Sequence, residues 1–122
     1  MVRREDGDSS LSVLKKTFPG FGDIEITPKS KEVLNTTENF ATVEATDGAI
    51  GFGPYSGAMV ADVSILTIGG LAAGDPTYPS VTTLGLVFKE SGKTGNVQKF
   101  LEFVTSPAAH DSIKSAFGFP AS

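Results

Sequence analysis

A short segment near the amino terminus combines residue types that can hold an oxyanion. It runs from Arg4 to Ser10 as Arg-Glu-Asp-Gly-Asp-Ser-Ser, and an apolar run that predicts a helix follows it. A helix N-terminus offers free N–H donors and a positive dipole end, and an arginine fork suits two oxygens of a phosphate, sulfate or carboxylate. We expect Ser9 to cap this helix, with free N–H groups at Ser10 and Leu11. The alternative is a solvated Arg4 beside an ordinary capped helix.

A second helix start follows at Asn35-Thr36-Thr37-Glu38. This order predicts an N-cap with an acidic residue at the third helical position, and Gly48 marks where the helix has stopped. The N-terminus would present Thr36 and Thr37. They are either a second set of donors to the same ligand or the first turn of an ordinary surface helix, and the sequence leaves both open.

Composition limits the classes of function. The 122 residues fit one domain, the net charge of −4 provides no basic field for nucleic acid, and the absence of cysteine excludes disulfides and zinc–thiolate sites. No apolar run approaches the roughly 20 residues of a membrane span, and the first residues lack the apolar stretch of a signal peptide. We therefore expect a soluble chain without membrane insertion.

The inventory for catalysis is thin. His110 is the single histidine and lies in a predicted helix far in sequence from the Arg4 segment. Two acidic pairs, Glu5 with Asp6 and Asp23 with Glu25, are spaced like exposed turn or strand residues. We predict no catalytic residues, no metal site and no cofactor, and hence no enzyme.

Strand-like and helix-like segments alternate along the chain. This alternation predicts an α/β fold with helices on both faces of a largely parallel or mixed sheet. The predicted helices begin near Ser9, Asn35 and Val97 and at Ser106-Pro107, the last one stopping at Gly118, and one helical turn is predicted at Tyr55. The predicted strands span residues 1–4, 23–27, 49–52, 63–68 and 81–88.

Five segments, spread over nearly the whole chain, carry a resemblance to a known family. They are Arg4-x-Asp6-Gly7-x-Ser9-Ser10, Gly48-Ala49-Ile50-Gly51-Phe52, Tyr78-Pro79, Phe100-Leu101-Glu102-Phe103-Val104 and Gly118-Phe119. In this order they resemble the second half of phosphate-type periplasmic solute-binding proteins of ABC transporters. The resemblance implies a type II periplasmic-binding-protein fold, in which two α/β lobes close on a ligand. Residues 1–122 would form one such lobe, with a mixed, mostly parallel sheet flanked by helices, a C-terminal helical pair, and hinge-like strands at 1–4 and 78–88.

The resemblance also assigns ligand contacts. The family turn reads Arg-x-Asp-Gly-Ser-Gly-Thr, so Arg4 keeps the arginine and Ser10 offers a hydroxyl where threonine is expected. Asp8 stands where the family has serine, and Ser9 where it has glycine. An ionised carboxylate repels a phosphate oxygen unless a proton bridges the two. Phosphate, sulfate, tungstate and an organic acid therefore remain open as ligands. The predicted ligand-binding residues are Arg4, Asp8, Ser9, Ser10, Thr36 and Thr37.

The expected function is that of a non-enzymatic ligand-binding lobe for a small oxyanion such as phosphate. The resemblance implies a periplasmic or extracytoplasmic parent protein with a first lobe, an export signal and an ABC transporter permease as partner. We also expect self-association as a homodimer through the C-terminal helices, whose apolar faces would cover the first lobe in the parent. The alternatives are a regulatory or sensor effector domain of the same fold and, third, an enzyme acting on small phosphoester or acyl substrates.

Overall fold

Helices and a small parallel sheet make up the computed structural model of the chain, which describes residues 1–75 and 77–120. Residues 76, 121 and 122, part of the predicted lobe 1–122, lie outside the described residues. Contacts divide the chain into two compact units, Met1–Thr82 and Thr83–Ser122. The class is mixed α and β. The β-strands and α-helices of the described residues are, in chain order, β1 (Val2–Arg4), α1 (Ser9–Thr17), β2 (Lys31–Val33), α2 (Thr36–Glu44), α3 (Tyr55–Ala58), α4 (Gly95–Val104) and α5 (Pro107–Ser115).

The first unit is built around the two parallel strands. Val2 lies opposite Lys31 and Arg4 opposite Val33, and α2 packs against both strands. The side chains of Val2, Val33 and Leu11 of α1 are buried and form the apolar core of this unit. The sheet therefore places Arg4, its last residue on β1, directly before the turn into α1.

The segment after α2 runs back along that helix at close range. The Val2 N–H donates to the Ile50 carbonyl oxygen at 2.8 Å, and the buried Asn39 side chain donates from Nδ2 to the Phe52 carbonyl at 2.6 Å. A Cβ atom on Gly51 would lie 2.9 Å from Cγ2 of Val43. The approach of this segment to α2 therefore requires glycine at position 51.

Four predicted strands are wrong, because a strand needs a neighbour that accepts its ladder hydrogen bonds. Residues 23–27, 49–52, 63–68 and 81–88 form no strand. A 3₁₀ turn, Phe21–Asp23, overlaps the beginning of segment 23–27. Segment 63–68 makes a single bridge, from Ile68 to Leu71. In segment 81–88, the apolar residues that predicted a buried strand are exposed, with Val87 at 99%.

The predicted helices are confirmed, because their signals are local. Asn35 caps α2, and Pro19-Gly20 follows the end of α1, with Gly20 in the left-handed region at φ 80°. In the second unit α4 and α5 contact each other. The stop of α5 differs from the prediction: Phe117, at φ 59°, takes the left-handed position, and Gly118 donates its N–H to the Ile113 carbonyl at 2.9 Å. This is a Schellman ending with glycine one place late.

Candidate functional site

A tight turn connects β1 to α1 and begins directly after Arg4. The Asp8 N–H donates to the Glu5 carbonyl oxygen at 3.2 Å, which closes a four-residue turn. Gly7 occupies the third position at φ 97°, a conformation that glycine adopts without steric cost. The turn therefore depends on Gly7, and it brings the start of α1 back toward the end of β1.

The N-cap of α1 is Asp8, so the prediction of Ser9 is wrong. Oδ1 of Asp8 accepts from the Leu11 N–H at 3.0 Å, and Ser9 is the first helical residue. Aspartate and serine cap equally well in general. Here the carboxylate has an added advantage, because its second oxygen lies 3.2 Å from Nη1 of Arg4. The Leu11 N–H is consequently occupied by the cap and is not free for a ligand.

Arg4 joins the starts of two helices. Its Nη1 contacts Oδ2 of Asp8 and donates to Oγ1 of Thr36, the first residue of α2, each at 3.2 Å. Its Nη2 donates to the carbonyl oxygen of Leu34, just before α2, at 3.1 Å. Arg4 is only 8% exposed, so the alternative of a solvated arginine is wrong.

Glu5 covers the remaining edge of the guanidinium group. Nε of Arg4 donates to Oε2 at 3.0 Å and Nη2 to Oε1 at 3.1 Å, a two-point contact. Glu5 is therefore more than the exposed turn residue that its spacing indicated. With Asp8, Thr36 and Leu34, it provides five acceptor contacts for the five N–H donors of an arginine.

The charges around Arg4 shift two pKa values in opposite directions. The hydrogen bond from Arg4 lowers the pKa of Glu5 below its ordinary value. The same bond raises the pKa of Arg4; burial opposes this rise, and the charges of Asp8, Glu5 and Glu38 assist it. Both shifts favour the charged forms, so the ion pair is intact at neutral pH.

The start of α2 has the predicted N-cap, and Glu38 at the third helical position reaches back to the residue before the cap. Oδ1 of Asn35 accepts from the Glu38 N–H at 2.8 Å, and Oε2 of Glu38 accepts from the Leu34 N–H at 3.3 Å. Leu34 is therefore held at both polar groups, by Glu38 at its N–H and by Arg4 at its carbonyl. This arrangement fixes the position of Thr36 relative to the guanidinium group.

Three predicted ligand residues stand beside this cluster without bonding to Arg4. The hydroxyls of Ser9, Ser10 and Thr37 make no hydrogen bond to the described residues, and Ser9 and Thr37 are exposed. The N–H groups of Ser9, Ser10, Thr36 and Thr37 likewise have no hydrogen-bond partner in residues 1–75 and 77–120. The start of each helix thus keeps two donors available beside the residues that Arg4 contacts.

Two polar residues of the first unit were not predicted, Glu5 at the Arg4 cluster and Asn39 against the segment that follows α2. Glu5 lies next to Arg4 in sequence, so adjacency of opposite charges was the signal that could have found it. Asn39 had no such signal, since a polar residue on a predicted helix is usually solvated. It is 1% exposed, and its Oδ1 has no partner among the described residues.

The cluster around Arg4 is filled by protein side chains. A separate cavity of about 300 Å³ in the first unit has Lys29, Lys31 and Thr42 in its lining, which contains none of the six predicted ligand residues. Within the described ranges no group of three or more acidic or histidine side chains could hold a metal ion. No helix in the same ranges is long and apolar enough to cross a membrane.

Comparison with protein-family models, curated proteins and solved structures finds no match to this chain. The likeness to solute-binding proteins therefore rests on the sequence segments quoted above. What the structure adds is independent of that likeness: a buried arginine placed between the N-terminal turns of two helices.

Proposed function

We propose that the chain is a non-enzymatic binding lobe for a small oxyanion of the phosphate type. One observation carries the proposal: Nη1 of Arg4 lies 3.2 Å from both Asp8, the cap of α1, and Thr36, the first residue of α2. Two positive helix ends and one guanidinium group thus meet at a single place. Such a place favours negative charge, because dipole ends and unpaired N–H groups act together with the cation.

The ligand would enter on the side of Arg4 that Glu5 covers. Glu5 keeps 34% of its side chain exposed, whereas that of Asp8 is 6% exposed and caps a helix. Displacement of Glu5 frees Nε and one donor of Nη2 for two ligand oxygens. The unpaired N–H groups at the two helix starts supply further donors. The fold would thus be kept while the ligand exchanges with one side chain.

The proposal extends to a place in transport. By the resemblance, the lobe belongs to a two-lobed extracytoplasmic receptor that delivers its ligand to an ABC transporter permease. Alone it should bind weakly, because the opposing wall and the desolvation on closure are absent. We also propose that the chain self-associates through α4 and α5, where Phe100 and Phe103 are about half exposed. Light scattering at high concentration tests this, and a clean monomer contradicts it.

The test of the site is calorimetric titration with phosphate, molybdate and sulfate. We expect saturable heat with at least one anion, and its loss in Arg4→Lys, which keeps the charge but not the fork. Arg3→Ala is the matched control, since Arg3 is the neighbouring arginine and pairs with Glu32 on β2 instead. Binding that survives in Arg4→Lys but fails in Arg3→Ala, or no heat with any of the anions, would contradict the proposal.

A further inference from the structure

The two sides of the Arg4 guanidinium group differ in their partners. The Nη1 side contacts Asp8 and Thr36, which begin two helices, and the Asp8 side chain is 6% exposed. On the Nε side, Nε and Nη2 donate to the two oxygens of Glu5 at 3.0 and 3.1 Å, and this side chain is 34% exposed; Nη2 also donates to the Leu34 carbonyl. One side is therefore part of the fold, and the other holds an acceptor that can leave.

The Glu5 carboxylate presents two oxygens to the fork as a bound oxyanion would. Because Glu5 directly follows Arg4, its carboxylate stays near the fork at an effective concentration of roughly millimolar or more. At the fork itself, a ligand with one carboxylate would only replace one carboxylate by another, and it would have to compete with this tethered group. A dianion offers more charge to the same donors, so it can compete where a carboxylate cannot.

We propose that Glu5 is an internal competitor for the Arg4 fork and thereby restricts the ligands to oxyanions of higher charge than a carboxylate. This inference rests on the proposed oxyanion site and narrows its ligand class: organic monocarboxylates are excluded, and phosphate-type dianions remain. The neighbouring charges act in the opposite sense, because Asp8 stays beside Arg4 when Glu5 leaves and Glu38 lies near enough to influence it. Their repulsion is greater for a dianion than for a monoanion, so the attraction that a dianion gains at the guanidinium group must exceed it.

The test compares phosphate and acetate on three proteins, the wild-type chain, Glu5→Gln and Asp6→Asn, by calorimetric titration at a pH where phosphate is mostly a dianion. Asp6→Asn is the matched control, because it removes the neighbouring negative charge, from an exposed position with no hydrogen bond to Arg4. We expect Glu5→Gln to bind phosphate about 10-fold or more tightly and to acquire saturable acetate binding. Asp6→Asn should change phosphate affinity by less than about 3-fold and should not bind acetate.

The outcomes separate this inference from the proposed function. Phosphate binding that Glu5→Gln and Asp6→Asn alter equally, with no acetate binding, would overturn the role of Glu5 and keep the site. No binding of either anion by all three proteins would overturn both. Phosphate binding by Glu5→Gln alone would support the role of Glu5 and contradict the proposed function of the wild-type chain, since it would show that the carboxylate blocks the fork completely.

An NMR measurement distinguishes a change at the site from a loss of folding in the variant. The amide dispersion of Glu5→Gln reports whether the chain is folded, and the Arg4 Nε–H resonance reports which acceptor occupies the fork. We expect this resonance to move when Glu5 is neutralised and to return toward its wild-type position as phosphate is added. Glu5→Asp, which keeps the charge on a shorter side chain, serves as a second variant and should bind phosphate with intermediate affinity. A resonance that is unchanged in Glu5→Gln would contradict the competition.

Discussion

The two units of this chain bury different kinds of groups. Besides its apolar core, the first unit buries Arg4 and Asp8 and gives the arginine five acceptors, so part of its order depends on directional contacts between polar groups. The second unit, within its described residues, buries only Ala109, while Phe100 and Phe103 of α4 stay about half exposed. A binding site that must keep its donor groups in a fixed geometry needs directional contacts of this kind, as in the first unit. Exposed apolar helix faces are instead typical of surfaces that meet a partner.

The largest expected effect is that of removing Arg4. Arg4→Ala leaves the nearly buried Asp8 carboxylate without its cation, and breaking such a pair costs about 3 kcal/mol in the free energy of unfolding. Arg3→Ala, on the same strand, should cost less than about 1 kcal/mol, because the Arg3–Glu32 pair is more exposed. Urea unfolding measures both. Equal effects of the two substitutions would show that the Arg4 cluster does not organise the first unit.

The next largest effect is expected at glycines where another chain segment lies close. A Cβ on Gly57 would lie 2.6 Å from Cε2 of Phe40, and one on Gly51 2.9 Å from Cγ2 of Val43. Overpacking of this kind costs about 1 to 3 kcal/mol, so Gly57→Ala and Gly51→Ala should both destabilise the chain. Gly85→Ala is the control, since open space surrounds Gly85. Thermal unfolding measures the difference, and a change at Gly85 as large as at Gly51 would contradict the packing described here.

Helices and turns were predictable because their signals lie within a few residues. Each signal acts on backbone groups only a few positions away. The examples are the cap formed by Asn35 and Glu38, the turn at Gly7, and Pro19-Gly20 after α1. Most strands were not, although the strand predicted at residues 1–4 is present as β1. The alternation at 23–27 and the apolar run at 81–88 express a preference for extended backbone, which becomes a strand only beside a hydrogen-bonding neighbour. The pairing of β1 with β2 was missed for the converse reason: Lys31-Glu32-Val33 is too short and polar to show a strand pattern.

The candidate site was predictable in its residue types and only partly in their contacts. Arg4, Asp8 and Thr36 do come together, although 32 positions separate the first from the last. The sequence placed the cap on Ser9 because serine and aspartate are nearly equivalent there, and only the position of Arg4 distinguishes them. The two-point contact with Glu5 depends on side-chain direction after the strand, which sequence spacing does not encode.

A smaller effect, opposite in sign, is expected at the end of α5. Phe117 has φ 59°, which costs a residue with a Cβ about 1 kcal/mol, whereas glycine adopts it freely. Phe117→Gly should therefore stabilise the second unit by up to about 1 kcal/mol, reduced by whatever stability the Phe117 side chain, 36% exposed, contributes through its contacts. The matched control is Gly118→Ala, which should destabilise it, because a Cβ there would lie 2.8 Å from Cγ2 of Ile113. Denaturant midpoints check both signs, and stabilisation by Gly118→Ala would contradict the Schellman ending.

The smallest expected effect is the pH dependence that the Arg4–Glu5 pair gives to the first unit. The pKa of Glu5 is lower in the folded chain than its unfolded value of about 4.3, so its contribution is fully present above that value and is lost as the pH falls through the folded pKa. The difference in melting temperature between the wild-type chain and Glu5→Gln should therefore be constant at neutral pH and shrink below about pH 4. Glu25→Gln, at an exposed position, should show a much smaller difference across the same range. A difference for Glu5→Gln that persists unchanged in acid would mean that its two hydrogen bonds, and not its charge, make the contribution.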